Sequence, residues 1–261
     1  MNANFPGLLS VVLSAAGFAW VHSTLRRRRM SVRLRIFAVF AVLSVPAALF
    51  TLYYLHVLPE YEWLYTLRSW RGSELLGVFL GCAGGALASM LSRMLLIFPL
   101  LGSVAFAFAP YVKPMVTPLE DSDLKDRWEG NVCLQSTGST CGPASVCTVL
   151  KHLGAAPSEI SAARSAYSTM SGTEAWYLAR YVRSQGFVPH FRFRKTFAPS
   201  VGLPAVVGVT SGGNGHFIAV LEIIGDQVTV ADPMRGEEHL TLSEFEVRYR
   251  CTGFHMVISR N

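Results

Sequence analysis

Apolar residues run almost unbroken through the first 112 positions, and then the chain changes character. Phe5 to Val21 is continuously apolar or small, near the lower limit of about 17 residues for a helix that crosses a bilayer. Ile36 to Leu58 is the strongest such stretch, with Pro46 inside it as an expected kink. Leu75 to Val112 is too long for one span and long enough for two. Its polar break at Ser92-Arg93 predicts a hairpin of Leu75 to Leu91 and Met94 to Val112. Between these stretches, Pro59 to Glu74 carries Tyr61, Trp63, Tyr65 and Trp70, an aromatic pattern expected of a segment lying on the outer membrane surface. Gly77, Gly81 and Gly85 are spaced by four, which offers a bare stripe for close helix packing. Glycine is also frequent in membrane helices generally, and the spacing alone leaves both readings open.

Lys113 to Gly130 holds two prolines and the charged run Glu120 to Arg127, and reads as a linker. Beyond it, Val146, Val149, Leu150 and Leu153 follow an i, i+3, i+4, i+7 pattern, which predicts a helix beginning at Cys141 and ending at Gly154. Pro143 fits its first turn. Ser158 to Ala166 is a second helix, and Thr173 caps a third, Glu174 to Gln185, stopped by Gly186. The period then becomes two. Phe187 to Phe193, Pro204 to Val209, His216 to Ile223, Gln227 to Ala231 and Phe254 to Ser259 read as strands. Helices followed by an antiparallel sheet make an α+β domain. The expected organisation is a helical membrane region of about four transmembrane helices over residues 1–112, a linker over 113–130, and an α+β domain over 131–261.

Charge sharpens the membrane picture. The net charge of +6 equals the contribution of Arg26, Arg27, Arg28, Arg29, Arg33 and Arg35. One juxtamembrane cluster therefore carries the whole excess. Such a cluster is a topology signal that keeps its loop inside, and it argues against nucleic acid as a partner. Four spans with that loop inside put the α+β domain outside; three would put it in the cytoplasm. Of five cysteines, none form a C-x-x-C pair, which argues against structural zinc. Cys133 and Cys251 flank segments that could meet at a sheet edge, so a Cys133–Cys251 disulfide is expected, with Cys141 free and Cys147 in a helix core.

The candidate chemistry lies in four residues. Cys141 opens a helix, and a helix N-terminus favours the thiolate that a cysteine nucleophile needs. By itself this is also what a buried structural cysteine looks like. His216 opens an apolar strand after a glycine-rich turn, where it could serve as base or simply end a strand. Asp232 precedes Pro233, a common turn opening. For Asp232 to share a face with His216, the hairpin between them needs an odd loop or a bulge, because a two-residue turn at Gly225-Asp226 puts the two on opposite faces. Gln135, six residues before Cys141, can donate to an oxyanion beside the backbone N–H of Cys141.

In the order Gln135, Cys141-Gly142, Gly215-His216-Phe217 and Asp232-Pro233, these residues resemble the papain-like double-glycine leader peptidases. The resemblance covers residues 131–261. It implies a papain-like cysteine peptidase fold, a peptide or leader-peptide substrate, and a link to export or maturation machinery, with no metal or organic cofactor. Thr140 stands where that family often has Asp, and no P-loop occurs in the sequence. The expectation is a bacterial inner-membrane cysteine peptidase whose domain faces the periplasm or exterior and acts on a peptide segment near the bilayer. Two alternatives remain: a non-catalytic peptide-binding or assembly protein, and another thiol acyl-transfer enzyme of amidase or transglutaminase type.

Overall fold

The computed structural model describes residues 4–55, 57–194, 197 and 199–260. Its chain divides into two units, Ala3–Glu60 with Trp70–Met115, and Tyr61–Ser69 with Val116–Asn261.

The first unit is helical. α1 (Phe5–Leu25) is capped by the Asn4 side chain, which accepts the Gly7 N–H. α2 (Met30–Tyr54) runs without a break through Pro46; His56, within the predicted stretch, lies outside the described residues. A 3₁₀ turn (Ser73–Gly77) leads into α4 (Val78–Ala88), and α5 (Ile97–Phe108) and the single turn α6 (Lys113–Val116) follow. Phe5–Leu25, Met30–Tyr54 and Arg93–Tyr111 are long and apolar enough to cross a membrane, while Ser73–Ala88 is apolar but shorter. The glycine stripe is a packing device. A methyl on Gly77 would meet Ser10 Oγ at 2.7 Å, and methyls on Gly81 and Gly85 would collide with the carbonyl oxygens of Ser14 and Phe18. Both series step by four and rise together, so α1 and α4 lie parallel with backbones in contact.

The second unit is α+β. β1 (Arg127–Glu129) and β2 (Val132–Leu134) form a small antiparallel pair. α7 (Cys141–His152) begins where the periodicity predicts, with Val146, Val149 and Leu150 fully buried. α8 (Glu159–Ser165) and α9 (Ala175–Ser184) follow. The Thr173 hydroxyl donates to Ser168 and leaves α9 without a side-chain cap. The main sheet has the antiparallel order β3-β8-β4-β5-β6-β7, from β3 (Phe187–Phe193), β4 (Ala205–Ser211), β5 (Asn214–Ile224), β6 (Gln227–Asp232), β7 (Gly236–Thr241) and β8 (Arg250–Arg260). α10 (Leu242–Arg248) starts with a capping box, Thr241 and Glu244. α7 packs mainly on β5, and the Ser145 hydroxyl donates to the Phe217 carbonyl at 3.0 Å, pinning helix to strand.

This unit also takes in chain that the hydrophobic pattern assigned elsewhere. Residues of the expected linker join it: Asp121 pairs with Arg164 at 2.8 Å, and the Asp126 carboxylate accepts the Glu159 N–H at 2.7 Å. More distant in sequence is α3 (Glu62–Arg68), from the segment expected to lie on the membrane surface. Leu64 is buried. The Tyr65 ring sits 5.1–5.9 Å from those of Trp176, Phe191, Phe193 and Phe254. Glu62 accepts the Phe193 N–H at 3.0 Å, and Arg183 donates to the Ser69 carbonyl at 2.9 Å. Of the four aromatics read as interfacial, Tyr65 thus fills an aromatic pocket in the sheet unit, while Tyr61, Trp63 and Trp70 stay exposed.

Candidate active site

Three structural choices bring the candidate residues together. The first is the start of α7, where Cys141 is half-buried and Gly142 leaves room for Leu178, whose Cδ1 would stand 2.9 Å from a Cβ at position 142. The second is the β5–β6 hairpin. Ile224 pairs with Gln227 across a two-residue turn in which Gly225 takes a φ of +64°, a conformation open to glycine. An unbroken ladder from that turn would put His216 and Asp232 on opposite faces. The register slips between Val220 and Glu222, so Val220 faces Val230 and Ala219 faces Ala231. This bulge restores the parity and turns both side chains to one face. The third is the loop before Cys141, which the Gln135 backbone ties to the Pro233 carbonyl at 2.9 Å, next to Asp232.

His216 Nε2 lies 2.8 Å from Asp232 Oδ1, with both side chains almost wholly buried. The Cys141 thiol is the other group that acts on the imidazole. Burial on its own would lower the His216 pKa, but the hydrogen bonds and negative charges of Asp232 and Cys141 outweigh it and raise the value to about 9. Asp232 shifts the other way. Burial works to raise its pKa, and the hydrogen bonds from His216, the Met234 N–H and Tyr249, with the His216 charge, bring it below the ordinary value. A thiol, an imidazole and a carboxylate linked in this order are the parts needed for nucleophilic acyl transfer.

Gln135 sits at the edge of this group. Its Nε2 donates to the Thr137 carbonyl at 2.8 Å, leaving one N–H of the amide for another acceptor. Two residues outside the four candidates, Thr140 and the unflagged Glu159, shape its loop. The Thr140 hydroxyl, fully buried, accepts the N–H groups of Ser136 and Thr137 at 3.0 and 3.1 Å. Glu159, also fully buried, accepts the Ser136 N–H at 2.8 Å and its hydroxyl at 2.5 Å. A second unflagged residue, Tyr249, touches Asp232 from behind at 3.0 Å. The run of serines and threonines before Cys141 hinted at a hydrogen-bonded loop; nothing local to Glu159 or Tyr249 marks them.

The cysteine pairing differs from the expected one. All five cysteines are free. Cys133 on β2 is buried against α7, where its thiol meets that of Cys147, whereas Cys251 lies on β8 opposite Val209. Burial, with the nearby Cys133, pushes the Cys147 pKa well up, and burial with the charge of Glu246 raises Cys251 to about 11. No cluster of three or more potential metal ligands occurs among the described residues.

The α+β fold is that of a papain-like peptidase domain. The chain belongs to the peptidase C39 family, which it matches over residues 129–261. An uncharacterised protein of Methanothermobacter marburgensis is 30% identical over 126 residues, covering 48% of this chain and 86% of the relative. The probable functional amyloid protease FapD of Pseudomonas aeruginosa is 26% identical over 131 residues, covering 47% of this chain and 58% of FapD, so the chain spans little more than half of that relative. Among solved structures, the peptidase domain of Streptococcus ComA, a bifunctional ABC transporter, aligns with a TM-score of 0.43 at 20% identity, covering 50% of this chain and 98% of that domain.

Proposed function

We propose that the protein is a membrane-anchored cysteine peptidase that cleaves a peptide or protein segment, such as a leader, close to the bilayer. The observation that carries the reading is the buried His216 held between Cys141 and Asp232, with Nε2 2.8 Å from the carboxylate. Cys141 attacks the scissile carbonyl as thiolate. His216, protonated in the resting pair, gives its proton to the leaving amine and then takes one from the water that hydrolyses the thioester. Asp232 holds the imidazole in place, and the free N–H of Gln135 with the backbone N–H of Cys141 stabilises the oxyanion. Peptide export or surface assembly is the setting in which such a maturation step would serve.

Two features support an external domain. α1 and α4 run parallel, so both cross in the same direction, and α5 returns the chain to the side on which α1 begins. α3 folds into the same unit as the peptidase domain, so the loop after α2 and the chain after residue 116 share a side. The arginine cluster between α1 and α2 lies across α2 from both, and positive charge marks the inside.

Turnover of a fluorogenic peptide set by the full-length protein in detergent tests the chemistry. Cys141→Ala should lower it by about three orders of magnitude or more, and iodoacetamide should label Cys141 ahead of Cys147, which is fully buried. Unchanged turnover, or faster labelling of Cys147, would end the assignment. A C-terminal alkaline phosphatase fusion should be active; an inactive fusion would return the domain to the cytoplasm.

A further inference from the structure

Asp232 has a partner that the proposed chemistry does not use. Its Oδ1 accepts from His216 at 2.8 Å and from the Met234 N–H at 2.9 Å. Its Oδ2 accepts from the Tyr249 hydroxyl at 3.0 Å, and Arg235 Nε stands 3.9 Å away. Tyr249 follows α10 and is 2% exposed, with its ring 5.6 Å from that of Phe245. The same hydroxyl lies 2.6 Å from Glu238 Oε2 on β7, and Glu238 Oε1 is paired with Arg248 on α10.

A phenol carries one proton, so Tyr249 donates to one of these carboxylates at a time. Arg248 compensates the charge on Glu238. Asp232 is the more buried acceptor, with 1% of its side chain exposed against 18% for Glu238, and a buried carboxylate oxygen without a donor is costly. We propose that Tyr249 is a positioning residue of the peptidase, its hydroxyl holding Oδ2 of Asp232 so that Oδ1 stays turned to His216. This rests on the reading of Cys141, His216 and Asp232 above. The charged and titratable groups facing this corner are His216 from β5, Arg235 from the β6–β7 turn, Glu238 from β7, Arg248 from α10 and Cys141 from α7. Glu129 on β1 approaches Gly236, its Oε2 3.4 Å from where a Cβ would be.

Tyr249→Phe removes one oxygen and keeps the ring contact with Phe245, so the core retains its packing; a thermal unfolding scan checks this. In the full-length protein, kcat should fall about tenfold with KM within about twofold, since the hydroxyl orients a group acting in the chemical step. The Asp232 contact is one of the causes that raise His216, so a loosened carboxylate should move the alkaline limb of kcat/KM down from about 9. Once Asp232→Asn is in place, adding Tyr249→Phe should change kcat by less than about twofold, because the hydroxyl would act through that carboxylate alone. A Tyr249→Phe enzyme with kcat and alkaline limb unchanged, or one whose loss multiplies with that of Asp232→Asn, would overturn the proposal. Asp232→Asn or His216→Ala turning over at the wild-type rate would instead overturn the triad reading beneath it.

Discussion

The seam between α1 and α4 and the seat of α3 hold helices by opposite means. In the seam, Gly77, Gly81 and Gly85 present no side chain, and the backbone of α1 lies where their Cβ atoms would stand. In lipid there is no hydrophobic gain from helix contact, so close backbone approach and dispersion do the holding. α3 offers a large ring and two polar ends. Tyr65 fills an aromatic pocket, while Glu62 and Ser69 accept hydrogen bonds from the sheet and from α9. That is how a short helix is secured in water, where seven residues have too few internal hydrogen bonds to persist alone. One contact has no room for an added side chain; the other depends on keeping a ring in place.

Substitutions that exchange those rules should break each contact. Tyr65→Ala should destabilise the peptidase unit by about 3–5 kcal/mol, the range for losing a buried aromatic ring, read as a fall in the urea midpoint. Tyr65→Phe, which keeps the ring, should recover most of it. Gly81→Leu should cost the membrane unit about 3 kcal/mol, because the backbone of α1 cannot yield as a side chain can; loss of monodisperse protein in detergent would report it. Gly102, with nothing within 4 Å of its Cβ position, should accept alanine freely.

Acidity separates the regions in a third way. His216 is raised to about 9 in the folded state. Its stabilising contribution is complete below the unfolded value of about 6.5 and is lost as pH rises through about 9. Asp232 is lowered, so its contribution is present above about pH 4 and is lost as pH falls through its native value. The peptidase unit should therefore be most stable in between, losing on the order of 1–2 kcal/mol by pH 10. None of Ser10, Ser14, Phe18 or the three glycines titrates in that interval, so the backbone contacts they make should not change with pH. The smallest effect belongs to Glu62→Gln. Its carboxylate is about a third exposed beside Arg192 and Arg194, and the amide oxygen can still accept the Phe193 N–H. About 0.5 kcal/mol, abolished by 1 M salt, is expected from double-mutant denaturation.

What could be read from sequence tracks how local each cause is. The start of α7 at Cys141 was legible because periodicity, Pro143 and Gly154 agree over one short segment. The glycine stripe was legible as spacing but not as contact, since its meaning lies in Ser10, Ser14 and Phe18 on another helix. The hairpin argument required an odd loop or a bulge, and the register slip at Leu221 supplies it, although no residue there announces one. The segment holding α3 reads as interfacial from its Tyr and Trp residues, and the pocket that takes Tyr65 could not be read because its walls, Trp176, Phe191, Phe193 and Phe254, lie more than 100 residues away. The Cys133–Cys251 expectation failed for a related reason: β2 packs on α7 and the β6–β7 end of the main sheet, while Cys251 lies on β8 beside β4. Glu159 and Tyr249 act through buried partners 23 and 17 residues away in sequence, beyond any local pattern.

The seat of α3 also sets an order on synthesis. Tyr65 leaves the ribosome roughly 190 residues before Phe254, and at about 5–20 residues per second the helix waits on the order of 10–40 s for the last wall of its pocket. During that interval its aromatic face has only the membrane surface, or a chaperone, to lie against. Until then the Tyr65 ring lacks the Phe254 wall of its pocket. Closure of the pocket around Tyr65 therefore waits on β8, which carries Phe254.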